Sequence, residues 1–356
     1  MKLLFLTEFF PRNRHLIFTG GVEARVYYIV KLAKKNFQVK VISSSSSKIS
    51  ATPFSVFSRI YYLFYSFIKA LTSDFDIVEA SNFVSYLPAF FAAKIKGKKA
   101  IAWIPDVLDQ DWWQFGPIVG LLGYILEKIS LMLNWDHIIS LSHSTKNKLI
   151  KKGINKNKIT VVHGAIEPKE FNFKKPPKFH QFTIICIARL VKTKQIKDLI
   201  VAFSKIDKAR LIIIGHGPLE NELKQLTEKL EISSKVNFQK NLTRIQLINT
   251  LHRSHLFSLP STVEGFGLVT IEAMTAGLPA VLADIPVNQE ITRKGQGALF
   301  FKPSDPNDLA KKILKLKNNP QLYKTKQIQG KKLASSYSWK KIYQQTKKVY
   351  EDCYSR

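Results

Sequence analysis

Short runs of aliphatic and β-branched residues alternate with longer mixed stretches along the first half of the chain. The runs cover residues 3–6, 39–43, 77–79, 100–104, 138–140 and 159–162. Strand-length apolar runs separated by helix-length segments are typical of βαβ units, whose strands form a parallel sheet. The first half is therefore predicted to be a doubly wound α/β domain.

A second series of strand-like runs follows a Lys- and Pro-rich segment at residues 173–179. These runs cover residues 183–187, 210–214, 236–238, 256–259 and 280–283. Paired prolines continue neither a helix nor a strand, so the segment is interpreted as a linker. The fold class predicted is α/β, with two Rossmann-like domains that face each other across a cleft.

The predicted domains are an N-terminal one over residues 1–172 and a C-terminal one over residues 173–338. Residues 339–350 place Trp339, Ile342, Tyr343, Val349 and Tyr350 at helical spacing with lysines between them. Such an amphipathic pattern suits a helix that docks on a domain surface. The terminal segment 339–356 is therefore predicted to pack back on the first domain.

The net charge of +29 favours polyanions or anionic membrane surfaces over neutral partners. The chain has 45 Lys and only 10 Arg, whereas proteins that recognise bases depend on the bidentate guanidinium of Arg. We therefore expect no nucleic-acid partner. Diffuse attraction to acidic headgroups and a coding bias towards Lys both remain open as explanations of the charge.

The cysteines and the N-terminal run bear on the compartment of the protein. Cys186 and Cys353 provide no disulfide framework, which favours a reducing cytoplasm. The apolar run at the N-terminus is interrupted early by Glu8, so a buried first strand is preferred over a secretory signal.

Two stretches are unusually rich in large apolar residues, at residues 54–71 and 117–133. Each approaches the length of a membrane span. Their cations and serines favour instead either helices at a membrane or acceptor-lipid surface, or ordinary buried helices. A location at the inner face of the cell membrane is expected from the first alternative.

The most informative stretch for chemistry covers residues 260–283, PSTVEGFGLVTIEAMTAGLPAVLA. A strand, a glycine-rich turn and a helix starting near Gly267 are predicted. Gly265 and Gly267 allow close backbone approach, and the first N–H groups of the helix form an anion site. Glu264 precedes the helix and Glu272 lies about 7 Å along it, so the two carboxylates flank a predicted diphosphate site.

The motif Glu264…Glu272 within EGFGLVTIEAMTAGLPAV resembles that of the glycosyltransferase family 4 enzymes, which have the GT-B fold. In residues 187–199, Arg189 and Lys194 match the Arg and Lys that the family places on the donor pyrophosphate. The resemblance implies catalytic roles for Glu264, Arg189 and Lys194. It also implies donor contacts from further positions: Gly20, Gly21, Gly215, Gly217, Gly265, Phe266, Gly267, Leu268 and Glu272.

Several positions depart from the family pattern. A histidine common after the fourth strand is replaced in the sequence AWIPDVL, where Pro105 and Asp106 stand. Asp106 is a candidate contact for acceptor hydroxyls. Gln195 and Asn36 replace customary glycines.

The resemblance implies a retaining transfer of a hexose from a UDP- or GDP-linked sugar to a lipid-linked or cell-surface glycan acceptor. It implies no metal or other cofactor, and the sequence offers no Asp-x-Asp at a strand end. Two alternatives share the architecture: a sugar-nucleotide epimerase, and a sugar-nucleotide-binding protein without catalytic activity.

Overall fold

A computed structural model describes residues 1–11, 21–44 and 56–355. The chain divides into two compact units. The first contains Met1–Gly164 and Trp339–Arg356, and the second contains Ala165–Ser338.

The first unit contains a parallel sheet with the strand order β2-β1-β3-β4-β5-β6. Its strands are β1 (Lys2–Thr7), β2 (Gln38–Ser43), β3 (Ile77–Ala80), β4 (Lys99–Ile104), β5 (His137–Ser140) and β6 (Ile159–Val161). Its first helices are α1 (Gly21–Ala33), α2 (Val56–Leu71), α3 (Phe83–Ile95), α4 (Pro117–Met132) and α5 (His143–Lys151). Strands β3 and β5 are buried at every position, as expected for a sheet with helices on its faces.

The second unit repeats this architecture with the strand order β12-β11-β10-β7-β8-β9. Its strands are β7 (Phe182–Ile187), β8 (Ala209–Ile214), β9 (Val236–Gln239), β10 (Leu256–Leu259), β11 (Ala280–Ala283) and β12 (Ala298–Phe301). Its helices are α6 (Ile196–Phe203), α7 (Glu220–Lys229), α8 (Arg244–Arg253), α9 (Leu268–Thr275), α10 (Pro286–Ile291), α11 (Pro306–Lys317) and α12 (Pro320–Ala334). Two Rossmann-like units are thus confirmed, and β12 is a strand that the sequence pattern missed.

The compact units divide between Gly164 and Ala165, eight residues before the boundary predicted at 172/173. The segment after Gly164 is tied to the second unit: the Ile166 N–H donates to the Tyr337 carbonyl at 2.9 Å, and Phe171 is buried. The Pro-rich segment 173–179 also belongs there, since the Phe179 N–H donates to the carbonyl of Arg253. Its prolines mark an extended segment packed on that unit.

The two apolar stretches form α2 and α4, although residues 54 and 55 lie outside the described part of the chain. Within the described ranges, no helix is both long enough and apolar enough to cross a bilayer.

The last helix, α13 (Trp339–Tyr354), packs on α1 of the first unit. The ring of Trp339 stacks on Tyr28 with centroids 5.1 Å apart. The Tyr350 hydroxyl donates to Glu79 Oε2 at 2.6 Å, and the guanidinium of Arg25 pairs with the same carboxylate. All three side chains are buried, so a charged network joins α1, β3 and α13.

Replacing Glu79 by Ala is expected to lower the free energy of unfolding of the first unit by about 3–5 kcal/mol, because it leaves Arg25 buried without a counter-charge. All five tryptophans lie in that unit, so urea unfolding followed by tryptophan fluorescence measures it. Glu351→Ala on α13, which removes an exposed pair with Lys347, is the control and should change stability by less than about 0.5 kcal/mol. Equal stability of the two variants would contradict a stabilising role for the network.

Candidate functional site

The loops after β7 and β10 meet at one edge of the second sheet, because these parallel strands are neighbours. The Thr262 N–H donates to the carbonyl oxygen of Thr193 at 3.0 Å, and the Thr262 hydroxyl donates to the same oxygen at 3.3 Å. Ligands bind at the carboxyl edge in doubly wound sheets. The contact therefore places the predicted cations and the predicted acids in one region.

Lys194 and Glu264 form an ion pair in this region. Lys194 Nζ lies 2.6 Å from Glu264 Oε1 and donates to the carbonyl of Val263 at 3.2 Å. The two side chains are only 15% and 11% exposed. This pair brings together two of the three residues predicted to be catalytic.

Cys186, on β7, is buried close to this ion pair. Burial raises the pKa of its thiol to about 12, and the Glu264 carboxylate adds to the increase while Lys194 opposes it. A thiol with this pKa is protonated at neutral pH and is no nucleophile.

The turn that carries Lys194 ends in an unusual backbone conformation. Gln195 has φ 48° and ψ 38°, in the left-handed region that favours glycine. This explains why a glycine is customary here. The other departure, Asn36, lies in the first unit and accepts a hydrogen bond from the Tyr343 hydroxyl at 2.8 Å.

Helix α9 begins as predicted, directly after Gly267. Gly267 is in the left-handed region with φ 77°, and no side chain caps the helix. The first N–H groups of an α-helix have no partner within it and carry positive partial charge. Gly265 and Leu268 are partly exposed beside this end, whereas the ring of Phe266 is buried against Tyr337, so only the backbone of Phe266 suits the predicted donor contact.

Glu272, inside α9, is bound by an arginine that the sequence analysis did not single out. Arg244 Nη1 lies 2.6 Å from Glu272 Oε1, and Arg244 Nε lies 2.7 Å from Glu170 Oε2. Burial raises the pKa of Glu272, and Arg244 opposes that increase. Arg244 and Glu170 are therefore additional candidate site residues. The local sequence feature that could have pointed to Arg244 is its place at the first position of helix α8.

Gly215 and Gly217 follow β8 and are required for packing. A Cβ at Gly215 would overlap the carbonyl oxygen of Ala188, and one at Gly217 would overlap that of Leu190. The Leu190 N–H donates to the carbonyl of His216 at 2.9 Å, which fixes this loop on the chain after β7. These glycines therefore position the loop that contains Arg189, whose side chain is exposed.

The remaining predicted residues belong to the first unit. Gly20 lies outside the described residues, and Gly21 is the exposed first residue of α1. Asp106 follows β4, lies 2.7 Å from Lys148 Nζ, and accepts a hydrogen bond from the Val107 N–H at 2.8 Å. The carboxylate is thus held in a defined orientation.

Two family models match the chain in succession. The model described as "Glycosyltransferase Family 4" matches residues 19–170, and the one described as "Glycosyl transferases group 1" matches residues 168–333. The chain belongs to the group 1 glycosyltransferases of the family 4 type.

Similar proteins agree with this assignment. The glycosyltransferase is 25% identical over 309 residues to the phosphatidylinositol N-acetylglucosaminyltransferase gpi3 subunit of Schizosaccharomyces pombe, with 84% of this chain and 66% of that protein covered. It is 29% identical over 245 residues to the capsular polysaccharide biosynthesis glycosyltransferase CapM of Staphylococcus aureus, with 64% of each chain covered. The chain thus spans about two thirds of the length of these relatives.

A solved structure shows the same fold. The crystal structure of Anabaena HepE in complex with UDP and glucose superposes with a TM-score of 0.78 at 18% identity, covering 99% of this chain and 100% of the other. The fold of the glycosyltransferase is therefore GT-B.

Replacing Arg244 by Gln is expected to destabilise the second unit by about 2–3 kcal/mol at pH 7, because Glu272 and Glu170 lose their shared cation. The pKa of Glu272, already raised by burial, rises further. Because a protonated carboxyl needs no counter-charge, the loss should shrink as the pH falls through that raised pKa. The measurement is urea unfolding by circular dichroism at several pH values, with tryptophan fluorescence reporting the first unit.

The control is Arg253→Gln on the same helix, where the guanidinium lies 4.2 Å from the centroid of the Phe179 ring. Loss of this cation–π contact should cost less than about 1 kcal/mol at every pH. A pH-independent loss in Arg244→Gln would contradict the role assigned to Glu272.

Proposed function

We propose that the protein is a retaining glycosyltransferase that moves a hexose from a UDP- or GDP-linked sugar to a lipid-linked or cell-surface glycan acceptor. The observation that carries the proposal is the Lys194–Glu264 pair, which lies just ahead of the uncapped N-terminus of α9. A cation, a carboxylate and a helix N-terminus are the groups that a sugar diphosphate requires.

In the proposed donor site, the diphosphate lies against the N-terminus of α9 with Gly265 and Gly267 admitting its oxygens. Arg189 and Lys194 neutralise its charge, so Lys194 exchanges part of its contact with Glu264 for phosphate. Glu264 then accepts hydrogen bonds from sugar hydroxyls. Glu272, oriented by Arg244, accepts hydrogen bonds from the ribose hydroxyls through its remaining lone pairs.

The proposed reaction is a front-face substitution. The bond between the anomeric carbon and the diphosphate oxygen breaks, the acceptor oxygen bonds to that carbon from the same face, and the leaving diphosphate takes the acceptor proton. Arg189, Lys194 and the N-terminus of α9 stabilise the negative charge that develops on the diphosphate. The anomeric configuration is then retained, and no nucleophilic carboxylate is needed on the opposite face of the sugar. The protein's own cations perform the role that a metal ion has in other transferases, so the transfer is proposed to need no metal or other cofactor.

We assign the acceptor to the first unit, with Asp106 as a contact for acceptor hydroxyls, and keep for Gly20 and Gly21 the donor contacts that the family resemblance implies. Support for this acceptor class comes from relatives, since one is named for phosphatidylinositol glycosylation and another for capsular polysaccharide biosynthesis. We place the enzyme in the cytoplasm, in peripheral contact with the inner face of the cell membrane, with no nucleic-acid partner.

A thermal-shift screen with UDP-, GDP-, ADP- and TDP-sugars tests the donor. A ligand that binds only the folded state raises the melting temperature, so at a hundredfold excess over Kd it adds about 2.7 kcal/mol of stability. A UDP- or GDP-sugar is expected to give the largest increase. Equal melting temperatures with every sugar nucleotide would contradict the proposal. Conversion of the bound sugar without any acceptor would identify an epimerase instead, and binding without hydrolysis or transfer would identify a binding protein.

Replacing Lys194 by Gln is expected to lower the turnover number about 100-fold or more, because the leaving diphosphate loses a preorganised cation. Lys192→Gln is the matched control, since Lys192 lies in the same turn with its side chain exposed, and its turnover should stay near that of the wild type. Transfer is measured as the release of nucleoside diphosphate in the presence of a metal chelator. The anomeric configuration of the product is determined by NMR. Equal rates in the two variants, or an inverted product, would refute the mechanism.

A further inference from the structure

The apolar and polar faces of α4 are inverted relative to a helix packed on a protein core. Its buried residues are Gly120, Gly123, Glu127 and Ser130. Six of its exposed residues are large and apolar: Ile118, Leu121, Leu122, Ile125, Ile129 and Met132, the last with 77% of its surface accessible. They recur every three or four residues, so they form one stripe along the helix.

The inverted packing of α4 has a specific cause. A Cβ at Gly123 would overlap the indole ring of Trp112, and one at Gly120 would lie 2.9 Å from the Trp112 carbonyl oxygen. Glu127, only 3% exposed, accepts hydrogen bonds from the Leu108 and Asp109 N–H groups at 2.8 and 3.0 Å. The fully buried positions of α4 are therefore small or polar, and six of its large apolar side chains are left in water.

Helix α2 also exposes an apolar stripe, although its inner side includes large residues that pack on the core. Its inner positions include Tyr62, Ser66 and Ala70, all fully buried. Its outer stripe is Phe57, Ile60, Tyr61, Phe64 and Ile68, and Phe57 is 85% exposed. Helix α3 packs against both α2 and α4 and adds exposed Phe91 and Ile95.

The three helices thus lie side by side, and we name their outer surface the α2–α4 face. It comprises the exposed apolar residues given above for α2, α3 and α4. Folded proteins rarely expose apolar surface of this extent unless it contacts a partner.

The charges on these helices identify the partner. Across α2, α3 and α4 as described, Glu127 is the single acidic residue, and it is buried. Lys69, Lys94 and Lys128 are exposed, although Lys94 lies 3.1 Å from Asp136. Apolar stripes containing phenylalanine and tyrosine, bordered by lysines without exposed acids, are typical of surfaces that lie in the headgroup region of an anionic bilayer.

We propose that the α2–α4 face docks the first unit on an anionic phospholipid bilayer. The inference rests on the proposed function, because a lipid-linked acceptor requires the enzyme at a membrane, and it adds the surface that makes the contact. A second copy of this chain would be a poorer partner, since two α2–α4 faces would bring their lysines together.

Co-sedimentation of the full chain with vesicles tests the proposal. We expect binding to vesicles of phosphatidylcholine mixed with phosphatidylglycerol, and much weaker binding to phosphatidylcholine alone. Replacing Leu121, Ile125 and Ile129 together by Gln should weaken binding at least about tenfold, because each apolar side chain leaves the interface. Replacing Lys69 and Lys128 by Gln should weaken it about fivefold for each cation removed, and salt should weaken it in the same way.

The matched control is Ile245→Gln with Ile328→Gln, two exposed isoleucines of the second unit, which should bind vesicles as the wild type does. Each variant should keep the wild-type melting temperature and donor-induced thermal shift, since the changed side chains are exposed.

Absence of wild-type binding to anionic vesicles, or equal binding by the α4 variant, would overturn the proposal. Light scattering that shows a dimer broken by the α4 substitutions, with no vesicle binding, would assign the face to a second copy. If sugar nucleotides raise the melting temperature of the wild type but it does not bind vesicles, only this inference is refuted. If no sugar nucleotide raises its melting temperature, the proposed function is refuted.

Discussion

The backbone contact between Thr193 and Thr262 determines where the charged groups of the second unit can lie. Strands β7 and β10 are parallel neighbours, so the chain leaves both at the same edge and the two following loops must pack on each other. The hydrogen bond fixes how the two loops pack, which places Lys194 against Glu264 and leaves α9 to begin directly after Gly267. Without that packing, the ammonium group and the carboxylate would each be partly buried without a counter-charge, at a cost of several kcal/mol.

Glu264, in the loop before α9, and Glu272, within α9, each pair with a cation, but the two pairs differ. Lys194 has one carboxylate partner and a flexible stem, so an incoming diphosphate can compete for it. Arg244 is bound by Glu272 and Glu170 and lies over the ring of Phe171, with three contacts to lose. Lys194 is therefore better placed to change partners, while Arg244 holds the Glu272 carboxylate in a defined orientation. This difference follows from the geometry of a point charge and of a planar guanidinium.

Most strands could be predicted from the sequence because each is a short apolar run in a buried parallel sheet. Strand β12 has the sequence ALFF directly after Gly295 and Gly297, so its apolar run follows residues typical of a turn and was missed. The compact units divide eight residues before the predicted boundary, because prolines indicate a break in regular structure but do not show which unit the segment packs on. Glu264 and Lys194 could be predicted through a motif and a family resemblance. Arg244 could not, because its partners Glu170 and Glu272 are distant in sequence and meet only through the strand order of the sheet.

The sequence also left α2 and α4 undecided between core helices and surface helices, because both kinds contain long apolar runs. The decisive information is the identity of the inner residues, which depends on the neighbours of each helix. On α4, Gly123 leaves room for the indole of Trp112, and Glu127 accepts hydrogen bonds from two backbone N–H groups. Steric fit and hydrogen bonding therefore determine which side of α4 faces the protein. The hydrophobic effect alone would rotate the helix to bury its large side chains. The close packing at Gly120 and Gly123 and the hydrogen bonds of the buried Glu127 carboxylate prevent this rotation. The exposed stripe is therefore a consequence of how the first unit folds.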